Sequence, residues 1–205
     1  TLTKFGLLFD AINSEMITLG IVLTIVINTG FNTHVPKAVN AIINYVPLTE
    51  YSGNDHFDKY FGFKYAPVSK EFFDINNEKI EIDILCIIGG SENQQGPTIL
   101  SEKLSKLFGT NKNITMILSP HYPQTDLSAL KVKFKSINYI NNVPSVKKYM
   151  EKSKCVICTY GNTTYESLTF HKPTFVASCY DFQEQFSQYL EKEGVAITIG
   201  NFKNL

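Results

Sequence analysis

From Ile80 onward the chain alternates short runs of branched apolar residues with longer segments of helical periodicity. The runs fall at 80–88 (IEIDILCII), 113–119, 133–139, 154–159, 173–178 and 195–199, and the segments between them predict helices at 96–108, 123–131, 143–152, 163–171 and 181–192. Runs that are apolar on both faces belong to strands covered on both sides. Strands that alternate with helices are joined by crossovers and therefore lie parallel. The expected class is α/β, with a doubly wound parallel sheet.

The first part of the chain is less regular. A short apolar piece at 5–9 precedes the run at 16–27 (MITLGIVLTIVI), a polar turn at 28–37 (NTGFNTHVPK), a strand-like run at 41–46 (AIINYV) and an aromatic stretch that ends at Phe73. The polar tract DINNEK at 74–79 marks a link, giving expected domains of 1–73 and 74–205. The run at 16–27 falls short of the roughly 20 apolar residues needed to cross about 30 Å of hydrocarbon, and no basic segment precedes it. It reads as a buried strand, with no integral membrane segment.

Charge excludes one class of partner. Lys plus Arg equals Asp plus Glu at 19 each, so no net positive field advertises nucleic acid, and an anionic ligand must be met by local groups. Cys155 and Cys158 form a CxxC. On a strand, however, residues three apart face opposite sides, and no second pair or histidine pair completes a metal set. With Cys86 and Cys179, they read as four small buried hydrophobes in a reducing compartment, the cytoplasm, with no metal. His34, His56 and His121 read as loop residues, and His171 as a helix C-terminal charge. Asp10 reads as a structural or cap residue, and Phe61, Phe63, Tyr65, Phe72 and Phe73 as packing aromatics.

Two strand-to-helix turns carry the chemistry. Gly89, Gly90 and Ser91 follow the strand at 80–88, and Tyr160, Gly161, Asn162, Thr163 and Thr164 follow the strand at 154–159. Glycine permits close backbone approach. Asn and Thr are good helix N-cap residues, and a helix start presents unpaired N–H groups to an anion such as a diphosphate. Glu166 lies about one turn into the second helix, where its charge would repel phosphate but its oxygens can accept hydrogen bonds from ribose hydroxyls. Both turns are expected at the carboxyl ends of strands in one sheet, where open α/β sheets bind ligands.

The stretches IIGGSE, INNVPSVKKYMEKSKCVICTYGNTTYESL and HKPTFVASCYDFQEQFSQYLEKEGVA resemble the C-terminal half of GT-B fold nucleotide-sugar enzymes. The nearest likeness is to the UDP-sugar hydrolase of pseudaminic acid biosynthesis and its spore-coat-polysaccharide relatives, themselves similar to the N-acetylglucosaminyltransferase of peptidoglycan synthesis. LLFDAINSE, IVINTGFNTHVPKAVNAIINYVP and FGFKYAPVSKEFF resemble the later part of the N-terminal domain of that hydrolase group.

The resemblance implies a complete or nearly complete C-terminal Rossmann-like domain and a partial N-terminal one. It also implies a UDP-sugar substrate, no cofactor, and a set of binding roles. Gly89, Gly90, Ser91, Gly161, Asn162, Thr163 and Thr164 would surround the diphosphate, with Glu166 on the ribose, the loop of Ile140, Asn141 and Val143 at the uracil edge, and Gln183 toward the sugar. The family places an asparagine before that glutamine, and Phe182 stands there in this chain. The hydrolase takes its catalytic base from a glycine-rich loop ending in histidine. No GxGH occurs here, so no catalytic residue is assigned, and the chain reads as a fragment, an incomplete form or a degenerate relative. The resemblance implies hydrolysis of a UDP-sugar to UDP and free sugar as the expected function, with glycosyl transfer from the same donor and binding without turnover as the alternatives.

Overall fold

A computed structural model describes residues 25–28 (backbone only), 40–46, 58–89 and 95–205. The chain divides into two compact units, Thr1–Lys70 and Glu71–Leu205. In the first unit, β1 (Ile25–Asn28), β2 (Ala41–Asn44) and β3 (Asp58–Phe61) form a parallel sheet in the order β1-β2-β3. All four residues of β2 are buried, as its run of apolar side chains requires. β1 takes up the end of the apolar run at 16–27, and the rest of that run lies outside the described residues, as do Asp10, His34 and His56. β3 (DKYF) is exposed to half-buried and falls in the aromatic stretch where no strand is expected, because its apolar signal is two aromatic rings after two charges.

The second unit is a six-stranded parallel sheet of β4 (Ile82–Ile88), β5 (Ile114–Leu118), β6 (Ile137–Asn141), β7 (Ser153–Thr159), β8 (Thr174–Ser178) and β9 (Ile197–Asn201). The connecting helices are α1 (Gly96–Phe108), α2 (Gln124–Lys133), α3 (Lys147–Glu151), α4 (Asn162–Leu168) and α5 (Asp181–Lys192). The strand order is β6-β5-β4-β7-β8-β9, so the chain builds outward from β4 in one direction and then from β7 in the other. Its two halves therefore meet between β4 and β7. One face of the sheet is sealed by Ile84, Cys86, Ile88 and Met116 against Leu100 and Leu104 of α1 and Leu127 and Leu130 of α2.

Two strands differ from expectation. The run at 133–139 is helix first: α2 continues to Lys133, and the Phe134 N–H closes it on the Leu130 carbonyl at 2.8 Å, so the buried Phe134 caps a helix and the strand begins at Ile137. The last strand begins later and runs through Gly200. There a bulge pairs Ala177 with Gly200 rather than Ile199, and the φ of 89° at Gly200 is a conformation glycine adopts without strain.

α5 is anchored by Phe186 and Leu190, both fully buried, and packs on β8 and β9. The Phe186 ring lies 5.6 Å from that of Tyr160, so the core reaches the turn after β7. Removing that ring leaves a cavity in the core beneath Tyr160. Phe186→Ala should lower unfolding free energy by about 4 kcal/mol, measured by chemical denaturation.

Candidate functional site

The junction of β4 and β7 determines where a ligand can enter. Crossovers leave β4 and β7 toward opposite edges of the sheet, so the turns after these strands part and leave a crevice at their carboxyl ends. A cleft of about 210 Å³ occupies that place, lined by Gly89, Thr159, Tyr160, Gly161, Asn162, Thr163, Cys179, Tyr180 and Gln183. The two turns singled out in the sequence thus border one space. Gly90 and Ser91 lie outside the described residues.

Side chains tie the rim together. The Gly89 N–H donates to Thr159 Oγ1 at 3.4 Å, joining the turn after β4 to the end of β7. Tyr160 donates its N–H to the Ala177 carbonyl at 2.9 Å and shares a hydroxyl contact of 2.8 Å with Tyr165. Gln183 Oε1 accepts from the N–H groups of Cys179 (2.8 Å) and Tyr180 (3.3 Å), while its Nε2 donates to the Tyr160 carbonyl at 3.4 Å. Gln183 therefore borders the cleft with its amide bonded to three backbone groups, as a brace between two strand ends rather than an outward-facing contact.

The start of α4 differs from the sequence expectation in two respects. Its N-cap is Gly161, with no side-chain cap, so Asn162, Thr163 and Thr164 are the first helical residues. Thr164 is fully buried. Its hydroxyl donates to the Thr159 carbonyl at 3.2 Å and its N–H to the Gly161 carbonyl at 3.0 Å, so it fastens the turn and has no group to offer a ligand. Gly161 is extended backbone that other residues could also adopt, but a Cβ there would meet nothing within 4 Å. What glycine supplies at this position is room for a ligand to come close to the main chain.

Glu166 is half-buried on α4, beyond the residues that line the cleft. Burial, and then the negative charge of Glu71, push its carboxyl above the ordinary range. Glu71 belongs to a short 3₁₀ turn, Lys70–Phe73, that is held on α4 by Thr169 Oγ1 donating to the Phe72 carbonyl at 2.8 Å and by the edge-on contact of Phe72 with Phe170. Phe72 is buried, whereas Phe73 is exposed.

Ile140, Asn141 and Val143 stand at the carboxyl end of β6, two strands from β4 and so roughly 10 Å along the same edge. They do not border the cleft. Ile140 lines a different groove, with Glu81, Asn113, Lys148 and Lys152. The Asn141 Nδ2 is buried without a hydrogen-bond partner, and Asn142 turns the chain with a φ of 58°.

Thr159, Tyr160, Cys179 and Tyr180 also line the cleft; in the sequence Tyr160 is legible only as the start of the turn and Cys179 only as a small hydrophobe, and Thr159 and Tyr180 carry no motif. The signal for them was positional: each is the last residue of a strand beside the junction or follows directly after it. The four thiols are all free. Cys86 and Cys158 are fully buried, and burial, with a smaller effect from Glu166, pushes the Cys158 thiol up to about 12. Cys155, the third residue of β7, and Cys179, just beyond the end of β8, are only half-buried, contrary to the uniform burial expected. His121 and His171 are exposed, and His171 terminates its turn with a φ of 53°. No helix among the described residues is long and apolar enough to cross a membrane.

No protein-family model matches the chain. An uncharacterized protein of Methanocaldococcus jannaschii is 26% identical over 184 residues, covering 80% of this chain and 37% of its own length. Among solved structures, MurG of Acinetobacter baumannii matches 93% of this chain with 56% of its own, at 14% identity and a TM-score of 0.53. A glycosyltransferase of Rickettsia africae matches 67% of this chain and 44% of its own, at 15% identity and a TM-score of 0.48. The chain thus spans well under two thirds of the length of these proteins. The likeness to MurG is one of fold: parallel α/β sheets of the GT-B kind.

The placement of Glu166 has a consequence for stability. Its folded carboxyl holds a proton more tightly than the unfolded one, so the contribution of Glu166 to stability is fully present below the ordinary carboxylate pKa and is lost as pH rises through the raised value. Glu166→Gln should raise the melting temperature at pH 7, and the gain should vanish near pH 4, as read by thermal scans across pH.

Proposed function

We propose that this chain carries the nucleotide-sugar site of a GT-B enzyme, with a UDP-sugar as substrate and an acceptor hydroxyl as the group that receives the sugar. The observation that carries the reading is the cleft between β4 and β7, where Gly89 and the Gly161–Thr163 turn border one space. A diphosphate in that space meets main-chain N–H groups and the positive end of α4, in a turn already fixed by Thr159, Thr164 and Gln183. Glu166, one turn further along, accepts hydrogen bonds from the ribose hydroxyls. The carboxyl end of β6, at Ile140, Asn141 and Val143, is the edge this reading gives to the base.

The chemistry these residues support is leaving-group stabilisation. The bond between the anomeric carbon and the diphosphate oxygen breaks, and its electron pair departs with UDP. The incoming oxygen bonds to that carbon and gives up its proton to a base. Amides aimed at the developing negative charge lower the barrier without having to reorganise. Such a reaction, in the cytoplasm, would serve the making of surface polysaccharides or nonulosonic acids such as pseudaminic acid.

A second reading is hydrolysis, with water in place of the acceptor. It is favoured by the likeness of IIGGSE and TYGNTTYESL to the pseudaminic acid pathway hydrolase. Release of UDP without an acceptor supports hydrolysis, release only with an acceptor supports transfer, and binding with no release supports a module that does not turn over its ligand.

The shared site is tested by calorimetric titration. UDP should bind, and Glu166→Ala should weaken UDP about tenfold while leaving inorganic pyrophosphate within twofold, as expected when a charged acceptor of hydroxyl hydrogen bonds is removed. Equal affinity of mutant and parent for UDP would remove Glu166 from the ribose.

A further inference from the structure

We propose that the carboxyl-terminal turns of α1 and α2 form a surface that docks on an anionic lipid bilayer, with Leu107 and Val132 entering the headgroup boundary and the lysines around them meeting the lipid phosphates. α1 joins β4 to β5 and α2 joins β5 to β6, and both pack on the same face of the sheet. Helices that join parallel strands run back against them, so both end at the amino edge of the sheet, roughly 10 Å apart. The cleft opens at the carboxyl edge, and this surface stands apart from it.

Leu107 and Val132 are each the next-to-last residue of their helix. They are 71% and 72% exposed, more than any other large apolar side chain among the described residues. Around them stand Lys103, Lys106, Lys112, Lys131, Lys133 and Lys135, all exposed, against Glu102 and Asp126 as the acidic residues of 96–135. The chain as a whole carries no net charge, so this face concentrates a positive field that the rest of the chain balances. None of these lysines is ion-paired with a described residue, whereas Glu81 and Asp83, at the start of β4 on the same edge, are taken up by Lys152 at 2.9 Å and Lys154 at 2.6 Å.

The helix dipole accounts for lysines in a last turn, which Lys106, Lys131 and Lys133 occupy. It does not account for Lys103, Lys112 and Lys135, nor for two aliphatic side chains left in water among them. A bilayer surface accounts for both. Apolar side chains enter the boundary between headgroup and acyl chain, while lysine stems lie along it with their charges in the phosphate layer. Nucleic acid fits less well, because all 19 basic residues are lysines, without the planar fork that pairs with phosphate, and neither helix has an exposed aromatic ring on which a base could stack.

Cosedimentation of the 205-residue chain with phosphatidylcholine vesicles, with and without about 30% phosphatidylglycerol and at about 50 and 300 mM salt, tests the proposal. Binding is expected only with phosphatidylglycerol, and it should fall about fivefold at the higher salt. Lys131→Glu/Lys133→Glu should weaken it about tenfold and Leu107→Ser/Val132→Ser about fivefold, whereas Lys192→Glu/Lys203→Glu, an equal charge change at the β9 end of the sheet, should stay within twofold of the parent. Lys103→Gln/Lys135→Gln, with an expected loss of about fivefold, replaces any lysine variant that melts early. Equal binding to neutral vesicles, binding to neither kind, or equal losses from the two Lys→Glu pairs would overturn the proposal. So would duplex DNA bound as tightly as the vesicles, with Leu107→Ser/Val132→Ser changing neither. Titration with UDP bears on the cleft alone, so the two readings fail separately.

Discussion

The pairing of β4 with β7 is the constraint from which the candidate site follows. Ile84 lies beside Cys155 and Ile87 beside Cys158, so two strands distant in sequence end together. Because later strands add on opposite sides of this pair, the crossovers leave its carboxyl end in opposite directions. The hydrogen bond from Gly89 to Thr159 spans the pair and sets how far apart the two turns stand. A change that shifted this register by one residue would exchange buried and facing side chains along both strands and would separate the turns.

Around that opening the molecule spends its polar side chains on rigidity. Thr159, Thr164 and Gln183 satisfy backbone groups of neighbouring turns, and Phe186 supports Tyr160 from below. A rim held in this way loses little entropy when a ligand arrives. Glu166 works in the opposite sense. A half-buried carboxylate next to Glu71 costs stability when charged, and the cost is relieved when hydroxyl donors approach it.

Much of the second unit was legible because its signals are local. Continuous apolar runs located β4, β5, β7 and β8 within a residue or two, and α1 and α5 fall at the expected bounds. The errors arose where one residue type serves two structures. Phe134 looks like a strand residue and is the buried cap of α2, while Gly200 looks like a stop and is a bulge inside β9. In the site, the position of the turns could be read from glycines after strands. The assignment of side chains inside the turn could not, because Thr163 and Thr164 look alike in sequence and differ only in burial after folding. Tyr180 was passed over because a tyrosine at a strand end carries no pattern of its own.

The central claim is that a diphosphate sits in the cleft between Gly89 and the Gly161–Thr163 turn, held by main-chain N–H groups at the start of α4. Backbone amide shifts recorded by NMR during addition of UDP test it most directly. The account predicts that the amide signals of Gly89, Gly161 and Thr163 move together and saturate at one concentration, with those of the α1 and α2 surfaces unchanged. Saturable shifts confined to another part of the sheet, with Gly161 and Thr163 unmoved, would contradict it.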